Sequence, residues 1–145
     1  MKKILLLGAM VLVLQGGGLL GQEGRNPYPY SYTLDKGVGE GIFTGVSLDQ
    51  VWTATIKSLM LNNCRILFTE KQSGIMSAER RELRPYYYFL SLFFEQAGPD
   101  VRVRLSLDWL DKDTGVDRFD TKNAEKEEKN FYDGVAELLY GKVDK

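Results

Sequence analysis

The chain has 145 residues, 43% hydrophobic and 27% charged, which is enough for one domain with its own core and too few for two. Its 19 basic and 20 acidic side chains nearly cancel, leaving no electrostatic footprint for nucleic acid or anionic lipid. There is no histidine and only one cysteine, which excludes Ser-His and Cys-His nucleophilic pairs, histidine metal sites and an internal disulfide.

The chain opens with Lys2 and Lys3, an apolar run from Ile4 to Leu14 and the glycine cluster Gly16 to Gly18. That order is the pattern of a secretory leader, assigned to residues 1–21. It places the protein in the periplasm or cell envelope, with membrane attachment only if the leader is retained. The run falls short of the about 20 apolar residues that a bilayer span needs. Leu14 to Gly17 also follows the lipoprotein leader pattern, but Gly17 stands where the lipidated cysteine would be, so a soluble exported protein is expected. Loss of Lys2 and Lys3 with the leader takes the net charge from −1 to −3.

Residues 22–41 are rich in Pro, Gly and Tyr without a helical or strand period, and are expected to form an extended tether. The folded domain is expected over 42–141, with 142–145 as a tail. A short strand in Gly41 to Val46 precedes a helix over 48–62. Ser47 and Gln50 form a capping box there, and Leu48, Val51, Trp52, Ile56, Leu59 and Met60 form the apolar stripe, with Lys57 and Ser58 off it. Asn62-Asn63 suits a left-handed exit.

Cys64, Ile66 and Phe68 alternate with Arg65, Leu67 and Thr69, a half-buried strand. Glu70 to Gly74 reverses the chain, with Gly74 supplying positive φ, and Ile75 to Arg80 returns as a second strand. Tyr86 to Glu95 is apolar on both sides: Tyr86, Tyr88, Leu90, Leu92 and Phe94 share one face, and Tyr87, Phe89, Ser91 and Phe93 the other. Such a strand must be covered on both faces. After the turn at Gly98 to Asp100, Val101, Val103, Leu105, Leu107 and Trp109 point inward and Arg102, Arg104, Ser106 and Asp108 outward. The last element, Thr121 to Tyr140, is a helix with the stripe Phe131, Val135, Leu138 and Leu139. Gly134 marks a close backbone approach in it, and Gly141 its end. The order (β)-α-β-β-β-β-α predicts an α+β two-layer sandwich, with an antiparallel sheet of four or five strands and two helices on one face.

The stretch from Ser47 to Arg80, in which Val51-Trp52 on a helix leads through a strand to Ser73-Gly74-Ile75, resembles the helix-grip domains of bacterial envelope lipoproteins, the outer-membrane assembly lipoprotein BamC among them. Phe131-Tyr132 on the last helix also fits, so the resemblance covers about 47–140. It implies a non-enzymatic envelope accessory that binds other proteins. This chain departs from that family in lacking the lipidated cysteine and in having one domain, not two.

The remaining chemistry is sparse. Asp111, Asp113 and Asp117 are the best candidates for weak Ca²⁺ binding, but Val116 and Lys122 stand where an EF-hand loop needs Gly and Glu, so a solvated turn is expected and no metal or cofactor is assigned. Cys64 reads as a small buried hydrophobe. Glu125, Glu127 and Glu128 read as a solvated helix face. Arg80, Arg81 and Arg84 are diluted by Glu79 and Glu82. No nucleophile–base set can be assembled, so no enzyme is expected. Tyr87, Phe89 and Phe93 are the candidate interaction surface, for an envelope protein or for self-association. The alternative is a carrier holding an apolar small molecule or lipid between the sheet and the C-terminal helix.

Overall fold

The computed structural model describes residues 27–81, 86–111 and 121–142. The expected leader, the start of the tether, Arg84, Asp113, Asp117 and most of the tail lie outside these residues, as do the side chains of Arg81 and Asp111. The class is as expected, α+β with one antiparallel sheet and two helices. Among the described residues, however, the sheet has six strands rather than four or five. In chain order the elements are β1 (Tyr30–Asp35), β2 (Val38–Thr44), α1 (Leu48–Leu61), β3 (Cys64–Glu70), β4 (Ile75–Arg81), β5 (Tyr86–Ala97), β6 (Asp100–Asp111) and α2 (Thr121–Tyr140). Across the sheet they run β1-β2-β6-β5-β4-β3, every neighbouring pair antiparallel.

The sixth strand, β1, comes from the segment expected to be a tether, and β2 extends the short strand expected at Gly41 to Val46 back to Val38. Lys36 and Gly37 both take positive φ, 50° and 80°, so Asp35 to Val38 closes a two-residue hairpin of the primed type, whose twist suits the flanking strands. Tyr30 and Tyr32, expected within the tether, alternate into the helix layer, where both pack against α2.

At the first helix the local signals and the structure agree. The Ser47 hydroxyl accepts from the Gln50 backbone N–H at 3.3 Å, and the Ser47 N–H donates to Gln50 Oε1 at 2.8 Å. Asn63 leaves the helix with φ 56°. The buried stripe is shifted from the expected one. Val51, Trp52, Ala54, Thr55, Ser58 and Leu59 are buried, whereas Met60 is 66% exposed. Ser58 faces inward because α2 crosses there: a Cβ on Gly134 would lie 3.1 Å from the Ser58 hydroxyl, the close approach expected of that glycine.

Both helices lie on one face of the sheet. Their side chains and the inward residues Phe43, Met76, Ala78, Leu90, Leu92, Phe94, Val101, Val103, Leu105 and Leu107 form one core cluster. Trp52 of α1 packs on Phe94, ring centroids 4.9 Å apart. Burying a side chain of that size is worth a few kcal/mol. On α2, Ala124, Glu128, Tyr132, Val135 and Ala136 are buried, while Leu138 is 40% exposed. The helix is therefore rotated from the expected stripe so that Tyr132 becomes its principal anchor. Gly74 enters the β3–β4 turn with φ 67°, and a Cβ there would sit 2.2 Å from the Phe94 carbonyl oxygen, so both backbone conformation and space demand glycine.

Candidate interaction surface and the layer beneath the helices

The other face of the sheet carries no helix among the described residues, and its relief follows from strand register. One row across β4, β5, β6 and β2 reads Ile75, Phe93, Arg104 and Glu40. Two residues further along each strand the row reads Phe68, Ser77, Ser91, Ser106 and Val38, and the next reads Arg65, Glu79, Phe89 and Asp108. Small serines thus lie between two taller rows, because side chains on one face recur every second residue. A depression of about 290 Å³ opens there, lined by Val38, Ile75, Ser91, Phe93, Arg104 and Ser106.

Phe93 is 40% exposed, Tyr87 and Phe89 are half-buried, and all three stand on this open face, as the alternation of the strand required. The rings of Tyr87 and Phe89 stack with centroids 6.5 Å apart. Phe68 joins them, which reverses an expectation. Its register partner is Ser77, while Ile66 pairs with Ala78, so Leu67 is an extra residue in a β-bulge. The bulge turns Phe68 from the helix side to the open side, where it is 52% exposed. Strict alternation in the sequence carries no sign of such an insertion.

The charges on this face are largely matched within the chain. Arg102 contacts Glu40 at 3.5 Å and Glu95 at 3.3 Å, and Arg104 contacts the same two carboxylates at 3.1 and 4.0 Å. The Arg104 guanidinium also sits 6.0 Å from the Phe93 ring centroid. Glu79 is buried between Phe89 and Arg65, with the Arg65 Nε at 3.2 Å.

On the helix side the structure assembles a cluster that the sequence reading missed. Glu128, expected in a solvated face, is only 1% exposed. It lies over Gly39, where a Cβ would come within 2.5 Å of its Oε2, and that oxygen accepts from the Tyr32 hydroxyl at 3.1 Å. Its Oε1 is buried without a hydrogen-bond partner among the described residues. Burial lifts the carboxyl from 4.5 to about 7. The Tyr32 hydrogen bond opposes this rise and the nearby Glu125 adds to it. Tyr30 donates to Asp133 Oδ1 one turn further on, and the Tyr132 hydroxyl shares its hydrogen between the Gly39 and Val103 carbonyls, each at 2.9 Å. The Tyr140 hydroxyl reaches the Thr44 carbonyl at 2.9 Å. One signal was present: Ala124, Glu128, Tyr132 and Ala136 follow a four-residue spacing, and Gly39 and Gly41 clear a lane for a helix.

A cavity of about 70 Å³ lies between α1, α2 and the sheet, where the carrier alternative placed its ligand. Leu59, Leu90, Leu105, Leu107 and Phe131 line it together with Cys64, Arg80 and Glu127. Arg80 and Glu127 stand 3.7 Å apart. Burial pushes the Cys64 thiol up, against the opposing influence of Arg80. Among the described residues no three Asp, Glu or Cys side chains converge as a metal site, and no helix is long and apolar enough to cross a membrane. No protein-family model matches the chain, and no curated protein matches it as a relative.

Proposed function

We propose that this chain is an exported, non-enzymatic protein-interaction or assembly domain of the cell envelope, and that the open sheet face is its contact surface. The observation that carries the reading is the run of apolar side chains Phe68, Ile75, Phe93, Phe89 and Tyr87 on a face that the two helices leave bare. The leader-like first 21 residues and the likeness to lipoprotein helix-grip domains support the location and the absence of catalysis. Cross-linking in intact cells tests it. The double variant Phe89→Ser/Phe93→Ser is expected to lose the cross-linked species while keeping the wild-type circular dichroism and unfolding midpoint; cross-links that persist in the folded variant overturn the reading.

The carrier alternative draws on the cavity under α2. At about 70 Å³ it is well below the roughly 300–1,000 Å³ of ordinary small-molecule pockets, so a lipid would require α2 to lift from the sheet. A lipid retained in native mass spectrometry of protein purified from its host would favour this alternative over the first.

A further inference from the structure

The helix side of the sheet holds a carboxyl group in a place that suits an apolar side chain. We infer that the first turns of α2, from Ala124 to Phe131, form a lid over the cavity beneath them, closed while the Glu128 carboxyl is neutral and lifted when it ionises, with Tyr132 and Gly134 as the pivot. The lid is independent of the open sheet face.

Three observations support it. The first is confinement. Glu128 is 1% exposed, its Oε2 accepts from the Tyr32 hydroxyl at 3.1 Å, and its Oε1 has no partner among the described residues. Such a place tolerates a neutral carboxyl far better than an ionised one, because the loss of water falls on the charge. The surrounding elements do little to offset it. β1 brings the Tyr32 hydroxyl and β2 brings Gly39, while the neighbouring Glu40 is held by Arg102 and Arg104 on the other face. β6 brings Leu105, the register partner of Gly39, and α1 meets the helix at the uncharged Ser58. On α2 itself the like-charged Glu125 is close, and Asp133 is engaged by Tyr30 and Lys129. Burial accordingly raises the carboxyl to about 7.

The second is unequal anchoring. From Tyr132 onward α2 is fastened: the Tyr132 hydroxyl reaches the Gly39 and Val103 carbonyls, Val135 and Ala136 are buried, and the Tyr140 hydroxyl reaches the Thr44 carbonyl. Before Tyr132 the buried residues are Ala124 and Glu128, and the Arg80–Glu127 ion pair is long, at 3.7 Å, and partly exposed. Gly134, a poor helix former, sits where α2 crosses Ser58. The third is position. Glu127, Asn130 and Phe131 of these same turns line the cavity of about 70 Å³, together with Cys64, Leu90 and Leu107. Lifting the turns hydrates Glu128 and opens the cavity in one movement.

Amide hydrogen exchange tests the lid, with wild type compared to Glu128→Gln at each pH so that the chemical pH dependence cancels. The closed state binds the Glu128 proton more tightly than the open one, so opening grows as pH rises toward 7. Between about pH 5.5 and 8, wild-type protection at residues 125–131 should fall by about tenfold or more relative to the variant. At pH 8 it should also lie at least about tenfold below that of β5 and β6, the mark of an opening smaller than global unfolding. Alkylation of Cys64, the sole cysteine, should speed up in wild type relative to the variant over the same interval. Tyr32→Phe removes the hydrogen bond to the carboxylate and should expose the same amides further at pH 8, which keeps the test open if Glu128→Gln fails to fold. A protection ratio flat in pH overturns the inference, as does protection at 125–131 equal to that of β5 and β6, since the helix then leaves only when the whole domain unfolds. Cys64 rates that stay level while the amides respond also overturn it, because the helix then frays without opening the cavity.

Discussion

Glu128 offers the sharpest quantitative test of the fold. Its carboxyl is held at about 7 in the folded chain by burial under α2 and returns to about 4.5 on unfolding. Between those values the folded state binds a proton that the unfolded state has lost, so stability falls as pH rises through this window. Below pH 4.5 the group contributes no difference, and above pH 7 the full cost of burying the ionised carboxylate is felt. A separation of about 2.5 units at 1.36 kcal/mol each sets that cost at about 3 kcal/mol, an upper bound because structural relaxation reduces it. The faces packed on Glu128 offer little relief: Tyr32 from β1 donates one hydrogen bond, Gly39 of β2 brings no side chain, and Glu125 on the same helix adds repulsion. The isosteric variant Glu128→Gln should therefore be more stable than wild type at pH 8 by up to about 3 kcal/mol, or more than 10 °C in midpoint, with the gap closing toward pH 5. Thermal unfolding followed by circular dichroism in matched buffers measures this. The absence of histidine keeps the window from pH 6 to 8 almost free of other titrations. A wild-type minus variant difference that does not change between pH 5 and 8 would show that Glu128 is not confined as described.

Two further substitutions examine particular contacts. Gly41→Ala would bring a methyl group within 2.5 Å of the Tyr132 ring, and should destabilise the domain by about 2 kcal/mol as α2 is pushed off β2, read as a lower urea midpoint. Phe68→Ser should change stability by under about 1 kcal/mol, because the bulge has placed the ring in solvent; a loss of 3 kcal/mol or more would show that Phe68 belongs to the core and that the bulge is absent.

How much of this architecture was legible depended on the range of the forces involved. Where a feature is set by residues within a few positions of one another, the sequence carried it. The capping box at Ser47 and Gln50, the positive φ at Gly74, and the alternation that separates Leu90, Leu92 and Phe94 from Phe89 and Phe93 are local consequences of backbone sterics and side-chain period. The hairpin at Lys36-Gly37 was also local, yet a composition rich in Pro, Gly and Tyr concealed it. That composition suggests a tether only until a sheet edge is present to pair with it, and β6 supplies that edge.

The chain alone thus settled the class of fold, two amphipathic helices on an antiparallel sheet, and which side of β5 would face away from them. Tertiary packing decided the rest. It rotated α2 so that Glu128 and Tyr132 face inward, because only Gly39 and Gly41, some ninety residues earlier in sequence, leave room for them. It also inserted Leu67 as a bulge and carried Phe68 to the open face, since strand register is fixed by pairing with β4 and not by the alternation of one strand. Burial, and with it the raised proton affinity of Glu128, exists only after distant segments meet; no local pattern of charges encodes it.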